Sequence, residues 1–208
     1  FLTLGGVSSA GLLLSSLESF ATQANPTTKS NAGYELKIMA TNWGYEGTID
    51  SFCAKVKKEG YDGIENWWPG TEQEQKEMFD ALKKYKLDLG IIYGAGEDTF
   101  AEHFPAFKKT VEIFAKQKIQ RPIYINLHSG KDYFSFDEGI KFVEYTNALA
   151  KETGIPIYHE THRGRLMFAA HTTSEYLKKY PELRLTLDIT NWCNVHESLL
   201  NKKKETVD

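Results

Sequence analysis

Glu160 and His162 stand two residues apart in the stretch Ile155-Pro-Ile-Tyr-His-Glu-Thr-His-Arg-Gly-Arg165. The run begins apolar and β-branched, then turns within a few residues to two His, one Glu and two Arg. That change of character marks the carboxyl end of a buried parallel strand where it opens onto a site. Side chains alternate along a strand, so Tyr158, Glu160 and His162 share one face, and Ile157, His159 and Thr161 the other. A carboxylate and an imidazole on one face suit metal ligation or proton transfer. The competing account is a plain ion pair between Glu160 and Arg163 or Arg165. Other strand ends carry matching chemistry: His128 closes Pro122-Ile-Tyr-Ile-Asn-Leu-His128, and Asp188 closes Leu183-Arg-Leu-Thr-Leu-Asp188.

These residues need elements to position them, and from Tyr34 onward the chain alternates strand and helix patterns. Strands are expected at 36–43, 61–67, 87–93, 122–128, 155–160 and 183–188. Thr48 opens a helix with Phe52 and Val56 on one face. Thr71 with Glu74, Ser135 with Glu138, and Thr172 with Glu175 read as helix starts, each with an acidic residue three positions after a hydroxyl. A long helix ending near Lys118 carries Phe107, Val111 and Phe114 on its buried face. Strict alternation predicts an α/β fold with a parallel sheet covered by helices.

Parity separates an open sheet from a closed one. Ile123, Ile125, Leu127, Ile155, Ile157, Leu183, Leu185 and Leu187 fall on one face. Tyr124, Asn126, His128, Tyr158, Glu160, His162, Thr186 and Asp188 fall on the other, joined by Thr41, Trp43, Glu65 and Trp67. A barrel explains this pattern, with aliphatics against helices and polar groups converging at one mouth. No Gly-rich phosphate turn of the doubly wound sheets is present. At about 31 residues per unit of an eight-unit barrel, Leu36 to Asp208 spans roughly five and a half units. The expected fold is therefore a (β/α)8 TIM barrel shortened to about six βα units, over residues 34–208.

Composition bounds the function. The 208 residues are 41% hydrophobic and 25% charged, enough to bury one sizeable core. Lys+Arg number 25 against 28 Asp+Glu, a net charge of -3 with no basic stripe, which argues against a nucleic-acid partner. Cys53 and Cys193 form no metal-type pair. The apolar, Gly/Ser-rich opening Phe1 to Leu17 is too short to span a bilayer, so no stable membrane insertion is expected. With the small residues after it, it reads as the remnant of a signal peptide over 1–24, followed by a linker at 25–33. It resembles the segment after the paired arginines of a twin-arginine signal, which implies an exported, periplasmic protein.

Asn126-Leu-His-Ser-Gly130, His159-Glu-Thr-His-Arg-Gly-Arg165 and Leu187-Asp-Ile-Thr-Asn-Trp192 together resemble the xylose isomerase-like TIM barrels. That superfamily includes sugar isomerases, ketose 3-epimerases and the family 2 apurinic endonucleases. The likeness is to its exported bacterial members, described as sugar phosphate isomerases/epimerases. It implies a divalent metal (Mn, Mg, Zn or Co) held by Glu160 and Asp188, with a His and a Glu from strands seven and eight, which lie past Asp208. The six units alone are then expected to hold a metal weakly. Many members carry a His three residues after the strand-six Asp, where this chain has Asn191. Asn can hydrogen-bond a sugar hydroxyl but cannot take a proton as imidazole does.

The expected catalytic set is Glu160, His162 and Arg163. The expected substrate-binding set is Trp43, Glu65, Trp67, His128, Arg165 and Asn191. Arg163 and Arg165 suit a carboxylate, a phosphate or sugar hydroxyls. Trp43, Trp67 and Trp68 suit either stacking on a sugar or packing at the barrel top. His103 and His171 read as surface or helix-end residues, and His196 as a helix-surface residue. The leading function is a metal-dependent sugar isomerase or epimerase acting through an enediolate. A metal-dependent lyase or hydrolase on an oxidised sugar, and a non-catalytic sugar-binding fragment, stay open. Open edges on strands one and six would invite association into a homo-oligomer.

Overall fold

Six apolar runs, each followed by a helix, build one sheet. The computed structural model describes residues 35–200. The signal remnant at 1–24, the whole linker at 25–33 and the last eight residues lie outside the described residues. Every element below lies in one compact unit that begins at Lys37. These are β1 (Met39–Thr41), α1 (Ile49–Lys58), β2 (Gly63–Trp67), α2 (Glu72–Tyr85), β3 (Asp88–Tyr93) and α3 (Phe100–Lys116). They continue with β4 (Tyr124–Leu127), α4 (Phe136–Thr153), β5 (Ile157–Glu160), α5 (Ala170–Lys179), β6 (Leu185–Thr186) and α6 (Ile189–Val195). The strands lie in sequence order and every pairing is parallel. The result is a curled half-barrel of six βα units.

The register sorts side chains as the alternation requires. Ile64, Leu89, Ile91, Ile125, Leu127 and Ile157 are buried against the helices, where Phe52, Val56, Met78, Leu82, Phe107, Val111, Phe114 and Phe142 complete the core. The inner face stacks in layers: Thr41, Glu65, Gly90 and Tyr124 lie side by side, as do Trp67, Ile92, Asn126 and Tyr158. Gly90 is required there, because a Cβ would sit 2.5 Å from the Tyr124 ring.

Local chemistry sets the helix starts. Thr71 with Glu74 and Ser135 with Glu138 both form complete capping boxes. The third start departs from expectation. Helix α5 begins at Ala170, ahead of Thr172, with no side-chain cap at Ala169. Its first N–H instead donates to Nε2 of His196 at 3.1 Å, and Thr173 turns into the core. β1 and β6 are shorter than the apolar runs at 36–43 and 183–188, because each pairs on one side only among the described residues. Cys53 and Cys193 are both free thiols. No helix among the described residues is long and apolar enough to cross a membrane.

Candidate metal centre

The mouths of β4 and β5 bring two imidazoles and a carboxylate together. His128 follows β4, Glu160 ends β5 and His162 lies two residues on, so all three face inward. One ligand atom from each lies within 4.8 Å of the other two. A cation with bonds of about 2.0–2.2 Å spans such a group after a small inward shift. His128 Nε2 is 3.1 Å from Glu160 Oε2, with both side chains nearly buried. Yet that nitrogen is buried without an aligned hydrogen-bond partner. Two groups that approach without bonding, both aimed at one space, fit a shared third partner.

Neighbouring groups orient the three side chains. Asn126 Nδ2 donates to Glu160 Oε2 at 2.6 Å. His162 Nδ1 donates to the Arg163 carbonyl at 2.7 Å, which leaves Nε2 as the ring nitrogen for a cation. The His128 and His162 rings lie 4.3 Å apart, and Trp67 meets His128 edge-on at 5.5 Å. Behind His128, Gly94 leaves no room for a side chain: a Cβ there would be 2.8 Å from the His128 Cβ.

A second carboxyl lies deeper in the same half-barrel. Glu65 hydrogen-bonds Tyr124 and Asn126, and burial raises its pKa, with the Glu160 charge adding to the effect. Burial and the Glu65 charge in turn push the Tyr124 hydroxyl well up. The two carboxyls thus sit in contrasting settings, one beside imidazoles and one beside a phenol.

Other expected site residues go elsewhere. Asp188 does not join the cluster; it is the N-cap of α6. Its Oδ1 accepts from the Asn191 N–H at 2.9 Å and its Oδ2 from Asn191 Nδ2 at 2.5 Å. An Asp before a helix satisfies orphan N–H groups as readily as it ligates a metal, and Asn191 is held in the same pairing. Arg163 is exposed. Arg165 is a clamp, its Nη1 donating to the carbonyls of Ala95 at 3.0 Å and Gly130 at 3.1 Å. It ties together the turns after β3 and β4. Trp43 and Trp67 are 62% and 39% exposed at the mouth. Trp68, of opposite parity, packs on Phe79 and Phe114 on the helix side. His171 is exposed, whereas His103 is buried at the start of α3 with Nδ1 on the Glu97 carbonyl at 2.7 Å.

No protein family matches the chain, and no curated protein matches it. Among solved structures it is similar to the probable 3-DHS dehydratase AsbF, involved in petrobactin synthesis, from Bacillus anthracis. The TM-score is 0.58 at 16% identity, over 77% of this chain and 66% of that one. The fold is a TIM barrel, present in part. A looser overlay joins it to the carboxyl transferase domain of Rhizobium etli pyruvate carboxylase, at TM-score 0.49 and 13% identity, over 77% of this chain and 28% of that one. The chain spans 66% of the dehydratase's length.

Reasoning from sequence missed His159. Its parity placed it on the helix side, and there it is buried between two hydroxyls: Ser129 Oγ lies 2.8 Å from Nδ1 and Thr146 Oγ1 2.8 Å from Nε2. Burial lowers its pKa to about 4 from the ordinary 6.5. The folded protein therefore refuses a proton that the unfolded chain accepts below about pH 6.5. Stability from this group is complete above about pH 6.5 and falls as the pH drops toward 4, by about 3 kcal/mol in all. Urea unfolding of wild type and His159→Gln across that range should show the gap between them closing in acid. A gap independent of pH would contradict a neutral buried His159.

Proposed function

We propose that the protein is a divalent-metal-dependent sugar isomerase or epimerase that moves a proton through an enediolate. The observation that carries this reading is the His128–Glu160–His162 group, with the Glu65 carboxyl deeper in the same half-barrel. His128 and His162 would each give a ring nitrogen to the cation and Glu160 an oxygen. Two imidazoles and one carboxylate favour Zn, Co or Mn over Mg. The cation, when bound, would polarise a carbonyl and its neighbouring hydroxyl and lower the cost of the enediolate.

The remaining steps belong to the chain's own side chains. Glu65, buried and pushed toward its neutral form, is suited to hold the proton at its carboxyl oxygen and to move it between adjacent carbons. Tyr124 and Asn126 fix the orientation of that carboxyl. Trp43 and Trp67 offer apolar faces to the C–H side of a sugar ring. Asn191 is committed to Asp188. Of the two reactions the site therefore favours aldose–ketose isomerisation, in which one group, Glu65, moves the proton between adjacent carbons on one face. Epimerisation would need a second proton-transfer group on the opposite face. The partner is a small sugar and not nucleic acid, since the chain carries a net charge of -3. Export and a homo-oligomer formed through the β1 and β6 edges are part of the same proposal. Ile38, Leu187 and Ile189 are exposed at those edges.

The test is solvent exchange. Incubation with Mn²⁺ and candidate ketoses or aldoses in D₂O should place deuterium on one carbon beside the carbonyl of the recovered sugar. Elimination with loss of water would instead assign the lyase reading. Sugars recovered without deuterium and without new products would defeat both.

A further inference from the structure

Ser129, His159 and Thr146 lie on the helix side of the sheet, directly behind the pair that faces inward. Ser129 follows His128, and His159 precedes Glu160. Because neighbours on a strand face opposite ways, a bond between Ser129 and His159 mirrors the approach of His128 to Glu160. We infer that the Ser129–His159–Thr146 chain is a positioning strut that sets the spacing of His128 and Glu160 from behind. The inference rests on reading His128, Glu160 and His162 as a cation centre.

Proton placement along the strut is fixed by chemistry. The Thr146 hydroxyl lies 2.9 Å from the Phe142 carbonyl and 3.1 Å from that of Val143, and its one proton goes to them. Toward His159 it can only accept, so Nε2 carries the ring proton. Nδ1 is then bare and accepts from the Ser129 hydroxyl. Every bond has one donor and one acceptor, and the chain runs from the β4 mouth through β5 into α4. All three residues are buried to 2% exposure or less, so no water competes for these bonds.

The backbone of the β4 mouth is pinned as well. The His128 N–H donates to the Tyr93 carbonyl at 2.8 Å, and the Leu166 N–H to the Ser129 carbonyl at 3.0 Å. Arg165 holds the Gly130 carbonyl. Ser129 and His159 provide the side-chain link between the residue after one ligand and the residue before the other. Ser129 and His159 touch neither cation nor substrate; they act through the ligands beside them.

The test compares Mn²⁺ affinity by calorimetry in the 208-residue chain and four variants. Ser129→Ala should bind about tenfold more weakly, the scale on which outer partners of ligands act. Thr146→Val should weaken binding too, and Thr146→Ser, which keeps the hydroxyl, should restore it. Val56→Ala, a core truncation in α1 far from the strut, should lower thermal stability and leave affinity unchanged. Wild-type affinity in both Ser129→Ala and Thr146→Val would overturn the strut, as would an equal loss in Val56→Ala. Should the wild-type chain bind no Mn²⁺, the cation reading falls, and histidine ring ¹⁵N spectra of the metal-free protein decide the strut alone. They should show His159 protonated at Nε2, and a His128 resonance that moves in Ser129→Ala and Thr146→Val but not in Val56→Ala. A His128 resonance that stays fixed in all of them overturns it.

Discussion

Glu160→Gln is expected to abolish divalent-cation binding while leaving the metal-free fold at least as stable as wild type. Glu160 supplies the one negative charge among the three ligands and is 6% exposed, so bulk water does little to replace it. Gln can still accept from Asn126 Nδ2 through its carbonyl oxygen. That same oxygen stands 3.1 Å from His128 Nε2, so the geometry is kept and what a cation loses is the negative charge of the carboxylate. The loss in affinity should exceed the roughly 10–100-fold cost of disturbing an outer partner, because the charge of a ligand itself is gone. Stability should move the other way, since a buried carboxylate with no cation beside it is costly and the amide removes that charge. Calorimetry with Mn²⁺ and thermal unfolding without metal read the two effects separately. Unchanged binding would move the centre away from Glu160, and a collapse in melting temperature would make the residue structural.

Phe142→Ala should destabilise the protein by about 3–5 kcal/mol, the range for emptying an aromatic site in a packed core. Phe142 is fully buried in α4, with ring centroids of Phe104 and Phe107 at 4.9 Å and His103 at 5.6 Å. Phe100 and Phe134 close the cluster at 6.1 and 6.3 Å. These rings bind α3 to α4, so truncation opens a cavity bordered by both helices. Against a total stability of about 5–15 kcal/mol, such a loss leaves a marginal domain. The Phe142 carbonyl also accepts from Thr146, so any local shift of α4 reaches His159. Phe142→Leu should cost much less. A loss under about 1 kcal/mol for the Ala variant in urea unfolding would contradict this packing.

The alternation of strands and capped helices was legible because each signal is local. Thr71 with Glu74 and Ser135 with Glu138 cap where a hydroxyl and a carboxylate three residues apart must. Parity was legible for the same reason, but Trp68 was grouped with Trp67 at the barrel top, whereas its parity is the opposite and it packs on Phe79 and Phe114 on the helix side. The start of α5 was not legible: Thr172 and Glu175 have the right spacing, but His196, 26 residues away from Ala170, anchors the helix earlier. Asp188 shows a different ambiguity, because one residue type serves as metal ligand and as helix cap, and only the geometry of Asn191 separates the two. The grouping of His128 with Glu160 and His162 depended on the register of β4 against β5, which pairs Leu127 with His159. No spacing along one strand encodes that pairing. His159 itself read as a neighbour of chemistry, and its part lies in hydroxyls 30 and 13 residues away.

The most direct measurement is diffraction from crystals of the 208-residue chain grown with Mn²⁺, recorded where the metal scatters anomalously. One strong anomalous peak is expected, about 2.0–2.3 Å from a ring nitrogen of His128, a ring nitrogen of His162 and a carboxylate oxygen of Glu160. Asp188 should remain on the Asn191 amide and N–H in the same crystals. A peak seated on Asp188 instead, or no peak between His128, Glu160 and His162, would contradict the cation centre and the function built on it.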